Sequence, residues 1–115
     1  MNLVNSMYKQ YVEEQLSNRF VYETEHGFLT YNKRDEILQL EEIYIKPESR
    51  RKGYASKFYK EAENIGLEMD CKELKGSIII GTNNSEGSMI CLLQNGFKLH
   101  YTDGIMIYLN KRIGE

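Results

Sequence analysis

The sequence predicts a mixed α/β fold, α+β in its segregation, with helices packed on the faces of one twisted and mostly antiparallel sheet. Three observations carry that reading. Hydrophobic periodicity switches between helical and strand-like spacing in the order α-β-β-β-α-β-α-β-β within 115 residues. Three aromatic and β-branched runs follow one another early in the chain, which suits an antiparallel meander. A short apolar run bounded by glycines, KGSIIIG, comes after a helix and suits a buried central strand.

Each element has its own signal. Val4, Tyr8, Tyr11, Val12 and Leu16 recur at helical spacing and predict an amphipathic helix over about 4–17, ended by Ser17-Asn18. RFVYETE and GFLTYNKR, parted at His26-Gly27, read as a hairpin, and EILQLEEIYI follows as the third strand. Pro47 stops that strand. Ala55, Phe58, Ala62, Ile65 and Met69 then mark the buried stripe of a helix that starts near Arg51. After KGSIIIG, the polar loop TNNSEG precedes a shorter helix over about 86–95, closed by Asn95-Gly96 as a left-handed cap. FKLHY and IMIYLNKR flank Thr102-Asp103-Gly104 as a last hairpin.

Length and composition bound the function. A 13.5 kDa chain holds one modest core, so residues 1–115 are expected to form a single domain. A net charge of −2 gives no broad positive field, and no nucleic-acid partner is expected. No run of 18 apolar residues and no signal-like start occur, so no membrane partner and a cytoplasmic location are expected. Cys71 and Cys91 lack CxxC spacing and read as reduced thiols. His26 and His100 show no ligand pattern, and no metal is expected. IIIGTNNSEGS lacks the lysine and hydroxyl of a P-loop.

The stretch IYIKPESRRKGYASKFYKEA is where chemistry concentrates. The start of a helix presents backbone N–H groups that have no intrahelical partner, and with the helix dipole they make an anion site. Gly53 lets an anion approach, and Arg50, Arg51 and Lys52 lie beside it. The bland alternative is a solvated basic turn.

Arg50, Gly53 and Ala55 stand at the three positions of an [Q/R]-x-x-G-x-[G/A] motif, with Pro47-Glu48 before it and Gly96-Phe97 at the end of the next helix. In these features the chain resembles the GNAT superfamily of acyl-CoA-dependent N-acyltransferases over nearly all of its length after residue 18. The resemblance implies a compact GNAT-like fold whose central strands splay into a V-shaped cleft, and it implies acetyl-CoA as acyl donor. Backbone groups of Ile43, Tyr44 and Ile45 would bond the pantetheine arm. Amides of Arg51, Lys52, Gly53, Tyr54, Ala55 and Ser56 would hold the pyrophosphate, with Arg50 adding charge. Asn84, or its neighbour Asn83, would contact the cofactor from the loop after the fourth strand, and Ser88 is a further cofactor-side residue.

Acyl transfer to an amine needs a base, because an ammonium has no lone pair. Glu41 and Glu42 lie in the third strand, and regular alternation puts one carboxylate on each face. Glu41, on the face of Ile43 and Ile45, is the first candidate and Glu42 the second. Many GNAT members protonate the leaving thiolate with a Tyr four residues before the Gly-Phe pair, a position held here by Leu92. Ser88, Cys91, Tyr101 or water remain as donors. The expected partners are therefore acetyl-CoA and a primary-amine acceptor, a small molecule or a protein. The short N-terminus implies an acceptor side that is reduced or completed by a second copy in a homodimer. The competing reading is an inactive module of the same shape, acting as an acyl-CoA sensor or a protein-interaction or inhibitor protein.

Overall fold

The computed structural model describes residues 6–16, 18–81 and 85–114, with side chains 85 and 86 left aside. They form helices α1 (Met7–Gln15), α2 (Tyr54–Glu68) and α3 (Ser85–Gln94). The strands are β1 (Phe20–Thr24), β2 (Gly27–Arg34), β3 (Ile37–Ile45), β4 (Glu73–Ile79), β5 (Lys98–Thr102) and β6 (Met106–Arg112). All lie in a six-stranded sheet of order β1-β2-β3-β4-β6-β5. β3 and β4 are parallel and the other neighbours antiparallel, because α2 carries the chain back between those two strands.

The core lies where α2 and α3 cover one face of the sheet. Phe58 of α2 and Leu29, Leu38, Leu74 and Leu109 of four strands have no solvent exposure, and Leu92 and Phe97 close the α3 end. A buried leucine or phenylalanine contributes about 1.5–3 kcal/mol each by removal from water, so this layer drives the fold. Tyr59 belongs to the same layer, edge-on to Phe97 at 5.7 Å.

α1 packs on the opposite face, mainly against β1, with Tyr8 reaching Phe28 of β2 and Glu42 of β3. Ser6 caps it by accepting from the Lys9 amide at 3.0 Å and donating to Glu23, which pins the helix start to β1. Of the expected apolar stripe, Val12 alone is buried among the described residues; Tyr8, Tyr11 and Leu16 are exposed, and Val4 lies outside the described residues. Tyr8 packs its ring on Phe28 at 5.0 Å while its edge stays open, as an amphipathic ring can.

Two further expectations need correction. The helix after β3 begins at Tyr54 and not near Arg51, because Pro47–Ser49 forms a 3-10 turn and Arg51 and Gly53 adopt φ of 63° and 83°, outside helical space. β4 is not buried on both sides. Leu74, Gly76 and Ile78 face the helices, whereas Ser77 and Ile79 face outward, since α1 does not extend over this half of the sheet.

Candidate active site

β3 and β4 start side by side and then part. Their ladder has three rungs, Ile37 to Glu73, Leu38 to Leu74 and Gln39 to Lys75, and no rung beyond. β3 runs on to Ile45 bonded to β2 on its other edge, and β4 runs on to Ile79 bonded to β6. The two inner edges therefore diverge, each with alternate N–H and C=O groups turned into the gap. The gap holds a lobe of about 450 Å³ and, at the apex, one of about 270 Å³, with Glu41 and Ser77 on the wall of both.

The larger lobe is lined from both faces of the sheet. Ile43, Ile78, Tyr59 and Leu92 line it from the core side, and Phe28, Tyr44 and Met106 from the open side. Two reactants can thus reach one point from opposite faces.

A β-bulge sets the carboxylates. Thr30 pairs with Glu42 but Tyr31 pairs with Leu40, so Glu41 is the extra residue. Leu40 and Ile43 both pack on the core, and both intervening residues turn the other way. Glu41 takes a 2.6 Å bond from the Arg19 guanidinium, leaving its Oε1 buried without a partner. Glu42 lies by Thr30 at 3.5 Å and by Tyr8, whose hydroxyl pKa is raised by burial and then by the Glu42 charge. The expectation of one carboxylate per face, with Glu41 on the side of Ile43 and Ile45, is overturned: simple alternation fails at a bulge, and both carboxylates border the cleft.

At the far end of β3 the chain turns into α2. Lys57 makes the first helical bond, to the Gly53 carbonyl at 3.2 Å, so the amides of Tyr54, Ala55 and Ser56 have no helical acceptor. Gly53 suits its φ of 83°, where an L-residue is strained, and a Cβ there would meet no protein atom within 4 Å. Arg50 is tied back: its Nε donates to the Ile45 carbonyl at 2.8 Å and its guanidinium lies 5.5 Å from the Tyr44 ring centre. Arg51 and Lys52 are exposed.

Sequence reasoning did not foresee the brace under this loop. His26 stacks on Tyr54 at 3.8 Å and bonds the buried Ser49 hydroxyl at 2.9 Å. Gly27 allows the hairpin to approach, because a Cβ there would lie 1.9 Å from the Tyr44 carbonyl oxygen.

α3 closes the cleft. Ser88 and Leu92 line the larger lobe, Leu92 with 3% exposure. Cys91 sits between Ser56 and Asn95, and burial raises its thiol pKa although hydrogen bonds from both oppose the rise. Tyr101 stacks on Tyr108 at 4.5 Å out on β5 and lines neither lobe. Asn83 and Asn84 lie outside the described residues. Tyr59 was missed both as a cleft residue and in the predicted stripe, although it stands four residues after Ala55 and three before Ala62; burial raises its hydroxyl pKa.

Comparison with known proteins agrees with this architecture. Among solved structures, the chain is similar to the PaiA N-acetyltransferase of Thermoplasma acidophilum in complex with coenzyme A, with TM-score 0.70 and 23% identity, covering 90% of this chain and 65% of that one. A GNAT family acetyltransferase of Elizabethkingia anophelis with acetyl-CoA bound gives TM-score 0.69 at 16% identity, covering 90% and 82%. The IAA acetyltransferase of Bacillus cereus gives 0.69 at 14%, covering 90% and 84%. These likenesses are of fold. No relative is found among curated protein sequences. The model of the acetyltransferase (GNAT) family matches residues 5–87, which span the bulge, the cleft strands and the Arg50–Ala55 turn, and on that match the chain belongs to the GNAT acetyltransferase family.

Proposed function

We propose that this protein is an N-acetyltransferase that moves an acetyl group from acetyl-CoA to a primary amine by direct attack in a ternary complex. The observation that carries the reading is the cleft lined from both faces of the sheet, with a carboxylate on its wall. The pantetheine arm would lie in the larger lobe and bond the free edge of β3 at Ile43, Tyr44 and Ile45. The pyrophosphate would meet the amides of Gly53, Tyr54, Ala55 and Ser56, beside Arg51 and Lys52. Arg50 would act mainly by holding the loop to the strand, given its bond to Ile45.

Glu41 would take a proton from the ammonium, directly or through a water. The freed nitrogen pair attacks the thioester carbonyl and the N–C bond forms; the adduct nitrogen then gives up its second proton to solvent, the carbonyl re-forms, and the C–S bond breaks. The thiolate then takes a proton from a cleft donor or from solvent, giving the N-acetyl product and free CoA. The buried, unpartnered Oε1 of Glu41 supports this role, since a buried acceptor without a donor is costly unless a ligand completes it.

Calorimetric titration with acetyl-CoA, followed by thiol-release assays over a panel of amines, tests the proposal. Binding with turnover is expected. Binding without turnover on any amine favours a sensor, and no binding at all favours an interaction module. The single-domain reading of residues 1–115 predicts one cooperative unfolding transition in the same preparations.

A further inference from the structure

The smaller lobe carries two complementary charges that have no use in one another. Lys75 stands at its floor, on the last rung before β3 and β4 part. Its ammonium lies over the rings of Tyr108 and Tyr101, 5.0 and 5.9 Å from their centres. Among the described residues no carboxylate comes within 4.0 Å of it. The half-buried lysine is thus positioned by aromatic faces and left without an anion. Across the lobe is Glu41, with Oε2 bound to Arg19 and Oε1 buried and unpartnered.

The pyrophosphate is not the anion Lys75 awaits. The phosphate-binding turn follows the far end of β3, and from Gln39 to Ile45 the strand rises about 20 Å at roughly 3.3 Å per residue. A polyamine acceptor would meet repulsion from Lys75, and an internal lysine or chain N-terminus of a protein would bring no carboxylate beside its amine. The lobe, about 270 Å³ and open on one side, has room for a small acceptor.

We infer that the acceptor is a free amino acid, its amine directed to Glu41 and its carboxylate to Lys75, so that the product is an N-acetyl amino acid. This rests on the acetyltransferase reading above. It makes Lys75 the residue that sets acceptor class.

The test uses matched acceptors in a thiol-release assay with saturating acetyl-CoA: each common amino acid, its carboxamide and its decarboxylated amine. At least one free amino acid is expected to exceed its amide and amine by tenfold or more in kcat/KM. Lys75→Met is expected to reduce that preference ratio tenfold, and Lys75→Arg to restore most of it. Amides or amines used as well as the acids overturn the inference, as does a preference ratio untouched in a folded Lys75→Met. A protein that acetylates amines without regard to the carboxylate sinks this inference alone. One that binds acetyl-CoA and acetylates nothing sinks the acetyltransferase reading as well.

Discussion

Replacing Gly53 by alanine separates the shape of the turn before α2 from its proposed use in holding the pyrophosphate. Gly53 and Gly104 adopt φ of 83° and 94°, and at neither would an added Cβ meet a protein atom within 4 Å. The cost to the fold is therefore conformational in both, about 1–2 kcal/mol for an L-residue in left-handed space. For a chain of 115 residues that is a fall in Tm of roughly 4–8 °C, at about 4 °C per kcal/mol. Only at 53 does the new methyl lie beside the free amides at the start of α2. Gly53→Ala is thus expected to weaken acetyl-CoA binding at least tenfold, about 1.4 kcal/mol, by calorimetry below both melting temperatures. Gly104→Ala, with a similar Tm, is expected to keep wild-type affinity. Gly53→Asp adds a negative charge at the same point and is expected to abolish binding. Unchanged affinity in Gly53→Ala would remove the pyrophosphate from this turn.

Glu41→Gln is expected to retain acetyl-CoA affinity and lower kcat by about 10²- to 10⁴-fold, the usual worth of a general base. If Glu42→Gln shows that loss and Glu41→Gln does not, the base is Glu42. Tyr59 tests the burial of the cleft wall through pH. Its folded pKa is raised above 10.0 by burial, so its contribution is fully present below that pH and is lost as pH rises through the folded value. Urea unfolding of Tyr59→Phe should therefore fall less steeply than wild type above pH 10, by up to about 1.4 kcal/mol per pH unit; parallel curves count against it. Leu92→Tyr is expected to fold with a cost of about 1–3 kcal/mol for overpacking against Gly76 and to raise kcat, and a folded variant with unchanged turnover would remove position 92 from proton donation.

What the sequence made legible depended on whether a feature is local. Element order followed from periodicity, and the Arg50–Ala55 turn from residue types at fixed spacing, because strand ends, helix starts and glycine conformations are set by near neighbours. The left-handed φ at Arg51 gave no such signal, since arginine has no special preference for it, and α2 consequently starts three residues later than its basic run suggests. The bulge at Glu41 was equally silent. It arises from pairing with β2, a contact made through the hairpin, and nothing in QLEEIYI marks where alternation slips. The partners of the cleft charges, Arg19 for Glu41 and the Tyr101–Tyr108 rings for Lys75, come from segments distant in sequence.

Leucine at position 92 need not exclude acyl transfer. Once the amine has attacked and lost its proton, the tetrahedral centre can expel either a thiolate or an amide anion. A thiol has a pKa near 8.5, whereas an amine nitrogen without a proton is a far worse leaving group, so collapse toward product requires no acid. The demanding proton is the one on the incoming ammonium, which has no lone pair until it is removed, and Glu41 is the proposed base for that proton. A donor near the sulfur then serves by hydrogen bonding to charge as it develops, which a neutral hydroxyl can do without giving up its proton. Ser88 on α3 and Tyr59 on α2 both line the larger lobe, and a Tyr59 hydroxyl kept neutral by burial suits that lesser role better than the role of a strong acid. On this arrangement the chemistry leans on its base and tolerates a weak or absent acid, so loss of the Glu41 carboxylate should cost more turnover than loss of either hydroxyl.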